Sequence, residues 1–456
     1  MESTQNSKYS LTDGGILGKL LLVAVPIMGT QLMQMAYNLT DLFWLGRMGS
    51  DAVAAAGSAG MYLWLSFGFL LIGRMGAEIG VSQHLGRGDK KAALAFSQNA
   101  MVIAAVLGLL YGFVMVVFSR PLIGFFNFRE NDVAAAGAEY IFITGFPTPV
   151  VYIASVAVGT FIASGNSRTP FILNGLGLAA NVILDPVFIF LLGMGVRGAA
   201  IATIISQLIS STAVLIALFV SGSRPFKNFS FRFRPERKKI IILLKWAVPI
   251  GLESILFCFL TMVCSRIEAS FGADALAVSK IGGQIESLSW LLGGGFGSAL
   301  VAFIGQNYGA GKHERIRQGT RIAAGIMALW GIFVTILLLT LGAELFSLFL
   351  RDPSLIFLGR RYLLIFACCQ LSINLEAVAS GAFKGTGRTI PPSLVSIVCN
   401  AVKPIFALLL SGTSLGLYGV WIGVCSITIV RGIWVCVWYY LAEKVLNRVH
   451  LDPFPE

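Results

Sequence analysis

Charged residues are scarce in this sequence of 456 residues. Asp, Glu, Lys and Arg together contribute 12% of it, whereas 56% of the residues are hydrophobic and the mean hydropathy is +0.81. A soluble globule of this length needs more polar surface than these residues supply, so the composition excludes that class. It predicts an integral membrane protein whose apolar segments cross the bilayer.

Signatures of catalysis, metal binding and nucleic-acid binding are also missing. The three histidines, His84, His313 and His450, lie in predicted loops or in the C-terminal tail, without metal-ligand spacing. We find neither a glycine-rich phosphate-binding loop nor a nucleophile–base pattern. The net charge of +12 is dispersed in short clusters and forms no basic, aromatic patch. We therefore expect no enzymatic activity, no cofactor and no nucleic-acid partner.

Cysteine is absent from the first half of the chain. The seven cysteines of the second half lie in predicted helices, with neither a CxxC pattern nor a disulfide framework, which is typical of packing. The polar residues up to about Gly15 lack the apolar core and the small-residue cleavage site of a signal peptide. We expect the first membrane span to follow directly in the mature protein.

Apolar runs of roughly 20 or more residues predict an all-α integral membrane fold with about 12 transmembrane helices. Pro26 lies inside the first run and Pro249 inside the seventh, where the missing N–H group and the ring favour a kink. The runs lie at about 16–46, 51–83, 91–118, 133–163, 169–193, 198–220, 240–271, 275–308, 318–344, 359–383, 389–411 and 417–442.

Lys and Arg are concentrated in the even-numbered connections between these runs. The positive-inside rule places these connections and both termini in the cytoplasm, so we expect a multi-pass protein of a bacterial plasma (inner) membrane. The basic residues concerned are Arg87, Lys90, Lys91, Arg168, the run from Arg224 to Lys239, Lys312, Arg315, Arg317, Lys384 and Arg388.

The second half of the sequence repeats the first with an offset near 223 residues. About sixty residues align without a gap, and chance agreement in Leu, Ala and Gly does not place Gln, Pro and Asp in one register. Matching positions include Ala24–Ile27 with Ala247–Ile250, Gln83 with Gln306, Gly86 with Gly309, Gly165 with Gly385, Asn181 with Asn400 and Pro186 with Pro404.

The duplication predicts two lobes of six helices, 1–221 and 240–456, joined by a basic cytoplasmic linker at 222–239. An even number of spans per lobe makes the repeats parallel, related by an axis along the membrane normal. Transporters of this plan hold substrate between or inside the two bundles and expose it to either side in turn. Duplication also occurs in channels and membrane enzymes.

Ionisable residues deep in a span are costly, and in the first half the clearest are Asp41 and Asp185. Asp41 shares a helical face with Gln34 and Asn38, and Asp185 follows Asn181 by one turn. We expect these two rows of polar side chains, one on the first span and one on the fifth, to face each other, with Tyr37 and Thr203 as neighbours.

Two carboxyl groups close together in a low dielectric favour a protonated form, because desolvation and mutual repulsion both oppose a double negative charge. They are plausible proton carriers, and the same oxygens could coordinate Na⁺. The alternative is that each Asp caps a helix or pairs with an arginine, as Asp41 could with Arg47.

The second half does not repeat these carboxylates, because Cys264 aligns with Asp41 and Lys403 with Asp185. Its own membrane charges are candidates either for structural ion pairs, for example of Lys403 with a glutamate, or for lining a cation-binding cavity. They are Glu253, Lys280, Glu286, Glu376 and Lys403. In the second span, Arg74 and Glu78 are four residues apart and are predicted to satisfy each other.

Several motifs resemble the multidrug and toxic compound extrusion (MATE) family, with the DinF-like branch as the nearest likeness. They are P-x7-Q-x2-YN-x2-D from Pro26 to Asp41, SQHLGRGD at 82–89, GQNYGAGK at 305–312, GNSRTP at 165–170 and N-x3-DPVF at 181–188. The resemblance covers nearly the whole chain. It implies a V-shaped pair of six-helix bundles that exports organic, typically cationic, compounds in exchange for H⁺ or Na⁺.

The resemblance also implies roles for individual residues. Asp41, Asp185, Asn181 and Thr203 match the ion-coupling positions of the family, and Pro26 matches the proline at which the first helix bends. Val158 stands where some members have an asparagine, for which Ser155 or Thr160 could substitute. Gln34, Tyr37 and Tyr140 match family positions that line the cavity of the first half. Asn38, Glu253 and Glu376 are predicted to line a cavity from their place in the sequence, without a match to the family's carboxylates.

These observations predict a monomeric secondary antiporter for small organic molecules that contacts membrane lipid and has no macromolecular partner. A flippase for lipid-linked compounds or glycans from the same superfamily is the nearest alternative. A passive channel or facilitator is the alternative from a different class.

Overall fold

The structure is a computed structural model that describes residues 9–128, 130–220, 225–226 and 229–446. Within these ranges the regular structure is helical, without a β-strand. The helices are α1 Ile16–Gly46, α2 Ser50–Gly86, α3 Lys90–Val117, α4 Ser119–Gly124, α5 Asn131–Gly145, α6 Thr148–Ala163, α7 Arg168–Pro186, a π-helical turn Val187–Leu191, α8 Gly195–Val220, α9 Arg237–Ala269, α10 Ala273–Gly309, α11 His313–Ser347, α12 Pro353–Ala367, α13 Gln370–Gly385, α14 Ile390–Ser411 and α15 Leu417–Leu446.

Ten spans of the described chain are long and apolar enough to cross a membrane, and two bent helix pairs raise the number to 12. The pairs are α5 with α6, bent by 52°, and α12 with α13, bent by 43°. The predicted single helix at 133–163 is therefore broken, because Pro147 and Pro149 at the start of α6 lack the N–H groups that would continue α5. The predicted all-α fold with about 12 spans is confirmed.

Pro26 does not interrupt α1, which continues through it. The ring leaves the Leu22 carbonyl without its helical N–H donor, and the Ser167 hydroxyl donates to that oxygen at 3.3 Å. Ser167 belongs to the GNSRTP segment, so a distant loop satisfies the defect in the first helix. Helix α9 likewise continues through Pro249, and a change of direction at either proline stays a prediction.

The chain segment that connects the two halves is hydrogen-bonded to the first lobe. The side chain of Gln98 donates to the Ser230 carbonyl at 2.6 Å, and the Asn99 amide oxygen accepts from the Glu236 N–H at 2.8 Å. Helix α9 begins at Arg237, so the last residues of the predicted 222–239 linker are helical. Positions 221–224 and 227–228 lie outside the described residues.

The two halves meet where the C-terminal ends of α2 and α10 cross. A Cβ atom built on Gly86 would overlap the Gln306 carbonyl oxygen, and one built on Gly309 would overlap the Gln83 carbonyl oxygen. These four residues are two repeat-related pairs, so the crossing is nearly symmetric. We name this side of the molecule, where the connections after α2 and α10 also lie, the basic end.

Side chains from each half bond to the other at the basic end. The Gln83 amide donates to the Gly385 carbonyl at 2.9 Å, and the Gln306 amide donates to the Ala163 carbonyl at 2.8 Å. Ala163 lies two residues before Gly165, which is the repeat counterpart of Gly385. The duplicated glutamines therefore make reciprocal contacts that close the gap between the halves at this end.

The segment before α1 also connects the two halves, in addition to the helix crossing and the glutamine contacts. The Leu11 N–H donates to Gln306 Oε1 at 2.9 Å, and the Asn307 amide donates to the Leu11 carbonyl at 3.2 Å. Lys312 Nζ lies 2.8 Å from Asp13 Oδ1, and this hydrogen bond holds the pKa of the Asp13 carboxyl below its usual value. The first residues of one half are thus tied to the other half.

We expect Gly86→Ala and Gly309→Ala each to lower the stability of the purified protein in detergent by about 1–3 kcal/mol, because the added methyl group must displace a backbone carbonyl. Gly57→Ala, in the same helix as Gly86 but with open space at its Cβ position, is the matched control and should be neutral or slightly stabilising. Thermal unfolding measures the difference. Equal melting temperatures for all three variants would contradict the tight crossing.

Candidate functional site

A polar cluster lies inside the first half, where α7 ends. Asn181 and Asp185 are one helical turn apart and are 0% and 1% exposed, and Asn181 Nδ2 donates to Asp185 Oδ1 at 3.1 Å. Pro186 and the π-helical turn Val187–Leu191 follow immediately. Single π turns within helices are frequent at functional sites, because they redirect nearby side chains.

Asp41 reaches the same place from α1. Its carboxyl group is an electrostatic neighbour of the Asp185 carboxyl and lies near the Asn181 amide. Asp41 Oδ1, Asp185 Oδ2 and Asn181 Oδ1 are buried, and none of them has a hydrogen-bond partner among the described residues. The structure therefore brings together the two carboxylates that the sequence placed on separate helical faces.

Hydroxyl groups complete the cluster. Thr203 of α8 lies beside the phenol groups of Tyr37 and Tyr140, and both tyrosines are electrostatic neighbours of Asp41 and Asp185. Ser206, one turn after Thr203, is also buried, and the hydroxyls of both residues have no partner among the described residues. The sequence prediction omitted Ser206, although its spacing of three residues from Thr203 could have indicated it.

These side chains offer oxygen acceptors in excess of N–H donors. A buried carboxylate without a donor is strongly unfavourable, and a proton or a small hard cation supplies the missing positive partner. Carboxylate, amide and hydroxyl oxygens are also the ligands that such cations prefer. The residues present thus fit a transported H⁺ or Na⁺.

Gln34 stands apart from the cluster, and Arg47 is not a partner of Asp41. Gln34 is exposed on α1, and the side chain of Asn38 lies outside the described residues. Arg47 does not neutralise Asp41, because its guanidinium stacks on the rings of Phe43 and Trp44, 4.5 and 5.3 Å from their centroids. The alternative of an Asp41–Arg47 pair is therefore wrong.

The substitutes considered for the asparagine missing at Val158 are engaged elsewhere. Ser155 donates to the Tyr152 carbonyl at 2.6 Å, and Thr160 donates to the Val156 carbonyl at 2.9 Å. Thr160 also bonds the Ser97 hydroxyl at 2.8 Å. Since these hydroxyls serve their own helix or α3, we do not assign either of them to the carboxyl cluster.

Two predicted glutamates of the second half, Glu376 and Glu253, are paired with cations. Two guanidinium nitrogens of Arg431 lie 2.7 and 2.9 Å from Glu376 Oε2, and both side chains are largely buried. Glu253 accepts from Ser393 at 2.8 Å and lies 3.8 Å from Lys384 Nζ. The sequence prediction did not name Arg431, which α15 brings to Glu376 from 55 residues away.

The hydrogen-bond partner of the Glu78 carboxylate differs from the predicted one, Arg74. Arg74 is an electrostatic neighbour of Glu78, but Ser298 of α10 donates the hydrogen bond to Glu78 Oε1, at 3.0 Å. Arg74 Nε and Glu78 Oε2 have no hydrogen-bond partner among the described residues. The predicted pair within α2 is therefore replaced by a contact between the two halves.

Two parallel six-helix halves, with a pair of carboxyl groups inside one of them, are typical of a membrane transporter. The family model MatE matches the chain twice, at residues 26–187 and 249–409, which reproduces the repeat offset and covers more than half of the sequence. The chain belongs to this family, the MATE transporters, whose members are multidrug efflux proteins and not enzymes. Its place in the DinF-like branch stays a prediction.

Curated relatives and solved structures match over most of their length. A probable multidrug resistance protein NorM of Thermotoga maritima is 26% identical, over 91% of this chain and 90% of its own. An FAD transporter of Shewanella oneidensis is 25% identical, over 95% and 96%. A MATE transporter described in an outward-facing conformation superposes with a TM-score of 0.89 at 21% identity, over 96% and 98%. A MOP superfamily transporter of Pyrococcus furiosus, described as having a binding pocket of reverse polarity, superposes with a TM-score of 0.90 at 22% identity. The match covers 96% of this chain and 98% of that one.

We expect Arg431→Met to destabilise the protein by about 3 kcal/mol, because it leaves the Glu376 carboxylate buried without its cation. The double variant Glu376→Gln/Arg431→Met should regain most of this loss. Arg317→Met, which breaks an exposed pair with Glu314, is the control and should cost less than about 1 kcal/mol. Thermal unfolding in detergent measures all three. An Arg431→Met protein as stable as the Arg317→Met control would contradict a structural role for the buried pair.

Proposed function

We propose that this transporter exports small organic molecules in exchange for inward-moving protons, with Asp41 and Asp185 as the proton-carrying pair. The observation that supports it is the proximity of two carboxyl groups, that of the buried Asp185 and that of the half-buried Asp41, which are electrostatic neighbours. Asp41 Oδ1 and Asp185 Oδ2 are buried without a hydrogen-bond partner among the described residues. Two neighbouring carboxyl groups in a low dielectric favour a protonated form, because two carboxylates would repel each other. The sequence left H⁺ and Na⁺ open, and we propose H⁺ because protonation by itself removes this repulsion.

Sodium is the second candidate for the coupling ion. The unpartnered oxygens of Asp41, Asp185, Asn181 and Thr203 could surround a cation after modest side-chain movement. Such a cation would replace the shared proton and neutralise the same two carboxylates. The two ions therefore predict the same essential residues but a different gradient dependence.

Neutralisation of the pair would act on α1. Asp41 lies four turns after Pro26 on the same helix, and a proline within a helix removes a hydrogen bond that otherwise resists bending. Protonation removes the repulsion between Asp41 and Asp185 and lets α1 pack differently against α7. A changed α1 would release substrate outward, and return of the charge would reset the cavity.

The substrate and the setting of the transporter are part of this proposal. The resemblance to the family favours amphiphilic organic cations, and relatives named for multidrug resistance and for FAD support small organic molecules in general. We propose a monomer in a bacterial plasma membrane, in contact with lipid, with the basic end and both termini in the cytoplasm.

Asp41→Asn and Asp185→Asn should each abolish proton-coupled export while leaving a folded protein, because the amide cannot exchange a proton. Proteoliposomes loaded with rhodamine 6G, under an imposed pH gradient or Na⁺ gradient, report transport by dye fluorescence. Wild-type protein should respond to the pH gradient. Asp274→Asn, at the exposed start of α10, is the matched control and should transport normally.

Wild-type rates in both site variants would exclude the carboxyl pair from coupling. A response to the Na⁺ gradient alone would replace H⁺ by Na⁺, and downhill flux unaffected by either gradient would indicate a passive facilitator. Absence of dye transport together with scrambling of a labelled lipid would favour the flippase alternative.

A membrane-impermeant thiol reagent applied to intact cells should leave Lys90→Cys unlabelled and label Thr413→Cys, because the proposed orientation puts the first residue inside and the second outside. Both positions are exposed, at the start of α3 and in the connection between α14 and α15. The background should carry Cys368→Ser, since Cys368 is an exposed free thiol. The reverse labelling pattern would invert the orientation.

A further inference from the structure

Helix α14 carries a polar row that points into the second half of the molecule. Its residues Ser393, Ser396, Asn400 and Lys403 are spaced by three or four positions and therefore share one face. Ser393 bonds Glu253, Ser396 lies 3.5 Å from Glu376 Oε1, and Asn400 Oδ1 accepts from Arg431 Nη1 at 3.3 Å. Lys403 continues this row by one turn.

Charged and polar groups from several other helices surround Lys403. Its electrostatic neighbours include Cys264 of α9, Glu376 of α13 and Arg431 of α15, and Glu286 of α10 lies within its field. The side chain is therefore directed into the helix bundle and away from lipid. Lys403 is nevertheless only half-buried, so its side chain is not fully enclosed by protein.

The acids near Lys403 do not form an ion pair with it. Glu376 is held by Arg431 at 2.7 Å, and Glu286 packs against Tyr362 and Gln370. Within the part of the chain that the structure describes, Lys403 has no carboxylate within 4.0 Å, in contrast to Lys384 and Arg431. An ammonium group inside a membrane protein without a bonded partner is unfavourable, and an anionic ligand would compensate it.

The internal repeat provides a second argument for an anionic ligand at Lys403. Lys403 occupies the register position of Asp185, one turn after Asn400 as Asp185 is one turn after Asn181. Duplicated positions therefore carry opposite charge in the two halves. The first half offers acceptors to a cation, and the second half offers a donor cation to an anion.

We propose that Lys403, with Asn400 beside it, forms a subsite in the second half for the anionic group of a substrate. The ligand class is an organic molecule bearing a carboxylate or phosphate, including zwitterions that also carry a cation. This inference rests on the proposed export function and adds to it a preference for acidic groups. Lysine suits the role as a compact point charge with three donors and needs no planar ligand geometry.

A matched pair of dyes tests the subsite. Rhodamine 6G is an ethyl ester with one positive charge, and its free acid adds a carboxylate to the same ring system. Binding of each dye to purified protein in detergent is measured by fluorescence anisotropy, independently of transport. Wild-type protein should bind the free acid more tightly than Lys403→Met does by about tenfold or more, the usual effect of a charge-assisted hydrogen bond. Ester binding should be unchanged.

Three further variants separate charge from structure. Lys403→Arg should retain most of the binding of the free acid. Lys280→Met removes an exposed lysine of the same half, which bonds Ser265 at 3.0 Å, and should leave both dyes unaffected. Glu286→Gln removes an acid near the ammonium group and should maintain or strengthen binding of the free acid.

Each outcome of these binding measurements either supports or overturns the subsite. An equal loss of both dyes in Lys403→Met, an unchanged affinity for the free acid, or a wild-type protein that does not distinguish the dyes would overturn the subsite. Ester transport in proteoliposomes tests the export function separately. A protein that exports the ester without preferring the acid would retain the proposed function and lose this inference.

Discussion

The backbone crossing of α2 and α10 is the constraint on which the arrangement of the two halves depends. Gly86 and Gly309 each leave room for a carbonyl oxygen of the other helix, and any side chain there would separate the halves. Small residues at helix crossings permit this approach in membranes, where apolar burial between helices contributes little because lipid is equally apolar. The reciprocal bonds of Gln83 and Gln306 then use the short separation to join loops of the opposite half.

Duplication explains why this crossing is nearly symmetric, but the interiors of the halves are not. The first half leaves carboxyl and amide oxygens of Asp41, Asp185 and Asn181 unpartnered, whereas the second half pairs Glu376 with Arg431 and Glu253 with Lys384. Buried ion pairs cost desolvation and contribute mainly by avoiding an unpaired charge. The first half therefore leaves two carboxyl groups without a cationic partner, which the proposed coupling ion would supply.

The first helix links these two features. Its Leu22 carbonyl, released by Pro26, is satisfied by Ser167 from the loop near the basic end, and its Asp41 lies in the carboxyl cluster. A single helix thus connects the basic end of the molecule to the proposed ion-coupling site. Rearrangement of α1 around Pro26 would alter both ends together, which is the coupling an exchanger requires.

The sequence alone determined the membrane class, the twelve spans, the duplication and the polar helical faces that carry Asp41 and Asp185, because hydropathy, repeat register and helical periodicity can be read from the chain itself. Only the tertiary structure decided which partners the other charges have. Arg431 for Glu376, Ser298 for Glu78 and the aromatic rings for Arg47 all depend on how helices are rotated and packed. The unpaired state of Lys403 has the same origin, since it arises from contacts between segments far apart in the chain. The break in the fourth span, by contrast, follows from Pro147 and Pro149 in the local sequence.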